Sequence, residues 1–268
     1  MTCAAETVWR RSPVNYELGS DEVHVWRAKL GLPQDSITGL LRILSPAERE
    51  KAARFHFEAD RKRAIIGRGM ARVLLGQCLG RPPDQLQFEY NAFGKPTLAG
   101  GFDGLMKFSV SHAGDLILVA LARGRELGVD VEHMRADFAS DQIAARFFSR
   151  NERRALAAVA PELQCDAFFS CWTRKEAYLK ARGDGLSLAL DQFDVTLAPA
   201  EDPRLLETRH DPADAQRWAL HAFDPGHGCK AAVAVEGPPC KLICWDWHGI
   251  GAQPGFAADA RTQPGAPG

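Results

Sequence analysis

Polar and apolar positions alternate most sharply at Gly128-Val129-Asp130-Val131-Glu132. In a strand, Val129 and Val131 face a core while Asp130 and Glu132 aim their carboxylates into one space. A second pattern places Trp172, Glu176 and Lys180 at four-residue steps with Lys175 beside them, and predicts a helix over about Cys165 to Arg182, closed by Gly183-Asp184-Gly185. If that helix meets the strand, three carboxylates and two ammonium groups share a pocket. Carboxylates so crowded repel one another unless a cation sits among them, and hard oxygen ligands suit Mg²⁺.

The rest of the chain builds around this pair. Val23 to Trp26 reads as an early strand after an irregular start. Ser45-Pro46-Ala47-Glu48 starts a helix with a capping serine, a first-turn proline and a capping-box acid, and that helix carries Arg49, Lys51 and Arg54. A longer helix, about Ala59 to Leu79, follows the period of Ile66, Met70, Val73 and Leu74 and stops at Gly80 and Pro82. Its polar side bears Arg61, Lys62, Arg63, Arg68 and Arg72, which together with Arg49 and Lys51 suggest a local anion site.

Leu86 to Tyr90 is expected as a strand and Asn91 to Pro96 as a turn presenting Lys95. Lys107 to His112, Leu116 to Leu121 and Leu127 to Glu132 follow at hairpin spacing. Ser149-Arg150-Asn151-Glu152 repeats the capping box before a short helix ending near Pro161. After the Cys165–Arg182 helix, Phe193 to Leu197, Trp218 to Phe223, Lys230 to Glu236 and Leu242 to Trp245 read as antiparallel strands. Helices then strands occur twice. That order predicts an α+β protein of two similar halves, residues 1–123 and 124–248, followed by a Gly- and Pro-rich tail, 249–268, expected to be disordered.

A chain of 268 residues, 46% hydrophobic and 25% charged, can bury a large core. A formal net charge of −1 argues against bulk binding of nucleic acid. The absence of a membrane-length apolar run and of a basic-then-apolar leader predicts a cytoplasmic protein with no membrane contact. Cys3, Cys78, Cys165, Cys171, Cys229, Cys240 and Cys244 form an odd set without a CxxC pair, which predicts reduced thiols.

With these residues in hand, the chain resembles the 4′-phosphopantetheinyl transferases of the large, surfactin-synthetase-activating type. The matching marks are Phe93-Gly94-Lys95-Pro96, Phe108-Ser109-Val110-Ser111-His112, Gly128 to Glu132, Phe147-Phe148-Ser149 with Glu152, and Trp172-Thr173-Arg174-Lys175-Glu176-Ala177 with Lys180 and Gly183 to Leu186. The resemblance implies a pseudo-twofold pair of α+β subdomains with coenzyme A between them. It also implies transfer of the phosphopantetheine arm to a serine of an apo acyl or peptidyl carrier protein of fatty-acid, polyketide or nonribosomal synthesis.

In that reading Asp130, Glu132 and Glu176 hold Mg²⁺, Glu176 is also the candidate base for the carrier serine, and Lys180 and Lys175 neutralise phosphates. Lys51 and Arg63 would cradle the 3′-phosphate, His112 would contact a phosphate with Ser111 beside it, and Lys95 would lie near the nucleotide. Glu48 stands where the family often has a lysine, and Arg49 is the nearby substitute. Two halves that enclose their own cleft suggest a monomer. A metal-dependent nuclease would share the acidic and lysine set but has no need of Phe-Gly-Lys-Pro or Ser-His, and a non-catalytic carrier-docking protein has no need of every candidate metal ligand.

Overall fold

The computed structural model describes residues 7–199 and 201–250. Cys3 and residues 251–268 of the expected disordered tail lie outside the described residues. In chain order the elements are β1 (Trp9–Arg11), β2 (Glu22–Lys29), α1 (Gln34–Ile43), α2 (Pro46–Ala53), α3 (Glu58–Leu79), β3 (Phe88–Tyr90), β4 (Pro96–Leu98), β5 (Met106–Ala113), β6 (Leu116–Arg123), β7 (Leu127–His133), α4 (Asp141–Phe147), α5 (Arg150–Ala158), α6 (Gln164–Arg182), β8 (Phe193–Val195), β9 (Leu205–Thr208), β10 (Trp218–Phe223), β11 (Cys229–Glu236) and β12 (Lys241–Asp246).

The expected α+β architecture is present as four layers. Alternation within β6 shows how they form. Ile117, Val119 and Leu121 join the core under α3, whereas Leu116, Leu118, Ala120 and Ala122 pack against the second sheet. That second sheet, in the order β10-β11-β7, offers Val129, Val131, Val233 and Val235 to the same interface and turns Ala232 and Ala234 towards α6. Each sheet is thus covered by one long helix.

Both capping boxes form. Ser45 Oγ accepts from the N–H of Glu48, Ser149 Oγ accepts from that of Glu152, and each glutamate reaches back to its serine N–H. α3 ends on Gly80 at φ +60°, a backbone that a glycine enters without steric penalty.

The expectation of four antiparallel C-terminal strands needs correction. β12 leaves the second half, runs parallel to both β1 and β2, and sits between them in the first sheet, whose order is β1-β12-β2-β6-β5. The boundary after Arg123 falls between β6 and β7, but the chain beyond it does not close on itself. The sequence patterns do not mark β1, α1, β4, α4 or β9. The six described cysteines are free thiols, and no helix among the described residues is long and apolar enough to cross a membrane.

Candidate active site

The site lies where the edge of the first sheet, β5, adjoins the edge of the second, β7. Two serine hydroxyls join these edges. Ser109 Oγ accepts the N–H of Val129 at 3.1 Å, and Ser111 Oγ that of Val131 at 3.3 Å. The alternation Ser109-Val110-Ser111 thus serves backbone donors that an edge strand leaves open.

α6 crosses the other face of β7 in near backbone contact. A β-carbon on Gly128 would lie 2.2 Å from the Ala177 carbonyl oxygen and 2.3 Å from the Ala181 nitrogen, so glycine at this position is what allows the helix to approach. From there the strand and helix run in opposite senses. Asp130 meets Lys180, and Glu132 lies near Trp172.

The centre is a compact network. Asp130, 3% exposed, accepts on Oδ1 from Lys180 Nζ at 2.7 Å and Ser111 Oγ at 3.0 Å, while Oδ2 is buried with no hydrogen-bond partner. Burial, then the negative charge of Asp130, pushes the Glu176 carboxyl up, and Lys180 opposes that shift. Glu132 is pushed up to about 7 by burial first and by Asp130 next, with Glu176 adding to it. Among the described residues no three acidic, histidine or cysteine side chains converge into a finished metal cage. The orphaned Asp130 Oδ2 and two carboxyls raised by burial and mutual repulsion nevertheless fit a hard cation, which would complete the first and relieve the second.

A cleft of about 600 Å³ opens beside this centre, lined by Lys51, Arg63, Arg68, His112, Glu176 and Lys180 among others. Lys51 has no ion pair among the described residues and lies over the Tyr90 ring at 5.9 Å. Arg63 is held by the Gly114 carbonyl at 2.8 Å and by Asp60, and still faces the cleft. His112 also lines the cleft, and its imidazole is shifted down by partial desolvation, then by the cations Lys180 and Arg63.

Several expected contacts are corrected. Lys175 does not reach the cleft. It is 0% exposed, and its Nζ donates to Glu152 at 2.6 and 2.7 Å and to the Phe193 carbonyl at 2.5 Å. At about 100° per residue, Lys175 lies some 140° around the helix from Lys180, far enough to face the opposite core. Ser111 has its donor and both acceptor positions taken by Asp130, Lys180 and Val131, so it orients the acid and the lysine and has nothing left for a cofactor.

The ammonium of Lys95 is bound to Glu126 at 2.9 Å and to the Ala181 carbonyl at 2.7 Å, leaving its stem to line the cleft. Arg49 donates to the Leu44 carbonyl at 2.6 Å and is not part of the cleft lining, so it does not stand in for a cradle lysine. Glu48 is neutralised instead, paired with Arg72 at 2.8 Å and Arg68 at 3.3 Å. Arg68, one of the basic residues read as a local anion site, lines the cleft, and Tyr90, which no sequence pattern marks, lines it too.

Cations and a carboxylate–lysine centre lining one cleft suit an enzyme of phosphoryl-group transfer. Comparison with known proteins narrows the class. Residues 126–234 match the 4′-phosphopantetheinyl transferase superfamily, and residues 32–123 match the 4′-phosphopantetheinyl transferase N-terminal family.

The 4′-phosphopantetheinyl transferase HetI of Nostoc sp. is 40% identical over 85% of this chain and 94% of its own length. Sfp of Bacillus subtilis is 30% identical over 77% and 88%, and the human L-aminoadipate-semialdehyde dehydrogenase-phosphopantetheinyl transferase 30% over 74% and 69%. A solved holo-(acyl-carrier-protein) synthase from Bacillus anthracis overlaps 41% of this chain and 94% of its own at 19% identity and a TM-score of 0.34. The chain belongs to the 4′-phosphopantetheinyl transferase superfamily.

Proposed function

We propose that this enzyme moves the phosphopantetheine arm of coenzyme A to the serine of an apo acyl or peptidyl carrier protein, releasing adenosine 3′,5′-bisphosphate. The observation that carries the reading is the Asp130–Lys180 contact with Glu176 beside it, in one cleft with Lys51, Arg63 and His112.

The carrier hydroxyl attacks the phosphorus that bears pantetheine, and the bond from that phosphorus to the bridging oxygen breaks. Glu176 takes the hydroxyl proton, directly or through a water. Its carboxylate lies beside Asp130 and Lys180 in the cleft lining, where it can reach a hydroxyl brought to the reacting phosphorus. Lys180 meets the charge that develops on the departing phosphate. Lys51 and Arg63 hold the 3′-phosphate, with His112 on a neighbouring phosphate. Asp130, Glu132 and Glu176 are the ligands that would hold Mg²⁺, which when bound would neutralise pyrophosphate oxygens. The protein acts as a monomer in the cytoplasm.

Apo carriers of the fatty-acid, polyketide and nonribosomal classes, incubated with coenzyme A and Mg²⁺, test this by intact mass. At least one class is expected to gain a single phosphopantetheine, dependent on both additions. No gain on any of the three would refute the assignment.

A pH dependence follows from Glu132, whose carboxyl is raised from 4.5 to about 7 in the fold. A raised carboxyl contributes stability below its unfolded value and loses it as pH climbs through the folded value. Without metal, Glu132→Gln is therefore expected to match wild type near pH 4.5 and to exceed it above pH 7. The gain should be about 1 to 2 kcal/mol after solvent screening. Thermal unfolding with chelator checks the first statement. In Mg²⁺ the advantage should vanish, because wild type then gains a bound cation that the variant holds less well.

A further inference from the structure

The β3–β4 hairpin pairs with no other strand among the described residues, and each of its strands is three residues long. So short an isolated pair is marginal in water, and something other than a sheet must hold it against the cleft. Leu98 and Phe88 anchor its strands in the first core, and two side chains of its turn tie it to α6. Asn91 divides its amide between two tasks: Oδ1 accepts the N–H groups of Phe93 and Lys95, both at 2.9 Å, and folds the turn, while Nδ2 donates to the Gly183 carbonyl at 2.7 Å. Lys95 Nζ donates to the Ala181 carbonyl at 2.7 Å and is balanced by Glu126.

The accepting carbonyls lie at the C-terminal end of α6, where helical carbonyls lack partners and the dipole is negative, so an amide donor and an ammonium are matched to it. The fit is close. A β-carbon on Gly183 would come 2.9 Å from Lys95 Cδ and 3.1 Å from Asn91 Nδ2, and one on Gly185 would come 3.0 Å from Phe93 Cβ.

We propose that Asn91 and Lys95 form a clasp that registers the last turn of α6, and with it Lys180, against the cleft wall made by Phe93 to Pro96. Asn91 is then a positioning residue for the reaction as well as a turn former. Lys180 sits one residue before the carbonyl that Lys95 holds and three before the one that Asn91 holds. Losing the clasp frees that turn to shift Lys180 away from Asp130 and from the phosphate it serves. The role rests on the function proposed above, in which Lys180 acts on the substrate.

Asn91→Asp separates the two tasks, because it keeps the acceptor for the turn and puts a carboxylate oxygen against the Gly183 carbonyl. If Asn91 only folds its turn, the variant will match wild type. If the clasp acts, kcat will fall about fivefold to tenfold, the size of one lost hydrogen bond to a carbonyl, with KM for the carrier unchanged. Amide hydrogen exchange will also quicken at both 91–95 and 180–185. Lys95→Met, which leaves the Asn91 contacts in place, is expected to change both readouts in the same direction and stands in should Asn91→Asp fold poorly. Wild-type kcat or wild-type exchange in the folded variant would overturn the clasp. Exchange is read without substrate, so a protein inactive on every carrier would count against the proposed reaction and leave the clasp to be judged on exchange.

Discussion

Glu176→Gln is expected to slow carrier modification by about a hundredfold to ten-thousandfold, the range for removing a general base, while the unfolding temperature holds or rises. The change keeps the shape of the side chain and removes only its charge and basicity. In the folded protein that charge is disfavoured by burial and by Asp130, so deleting it relieves repulsion at the moment it removes the proton acceptor. A simple packing residue would show the opposite pairing, with stability lost and turnover kept. Asp130→Ala should also abolish transfer, but it is a less clean probe because Lys180 and Ser111 both bond to that carboxylate. Intact-mass rates and a melting curve on one preparation of Glu176→Gln decide the matter, and near-native turnover would remove Glu176 from the chemistry.

Lys175→Met is expected to cost about 3 to 5 kcal/mol of stability, since it leaves a buried carboxylate without its counter-ion. Glu152 would keep the N–H groups of Ser149 and Val195, both at 2.9 Å, yet lose the ammonium held at 2.6 and 2.7 Å. Combining Lys175→Met with Glu152→Gln should recover much of the loss, because the uncompensated charge goes too. Coenzyme A affinity, measured where the variant is still folded, should be that of wild type. A large drop in affinity without a drop in stability would return Lys175 to the phosphates.

What the sequence made legible follows from periodicity. β7 and α6 have strong, opposite patterns that predict each element and the face carrying Asp130, Glu176 or Lys180, while their meeting enters the sequence reading only as a condition. Both capping boxes could likewise be read from four residues each. The two misplaced lysines share one cause, that spacing does not reveal which way a charged side chain turns when a buried partner competes for it. Lys175 was drawn inward by Glu152, 23 residues away in sequence, and Lys95 by Glu126, 31 residues away. β12 has an ordinary strand pattern, and only pairing across more than two hundred residues places it beside β2. α1 follows Pro33 with no side-chain cap, so its start carried none of the polar signals that marked α2 and α5.

The placement of β12 bears on how the protein comes into being. Because the strand lies inside the first sheet, flanked by β1 and β2, the amino-terminal half leaves the ribosome with a gap in its sheet that only residues 241–246 fill. Until then β1 has no neighbour, and β2 exposes an open edge to any passing strand. Completion of the first sheet is thereby tied to synthesis of residues 241–246. A chain broken off before Lys241 would lack more than a C-terminal extension, since its first sheet would stay unfinished and prone to aggregate.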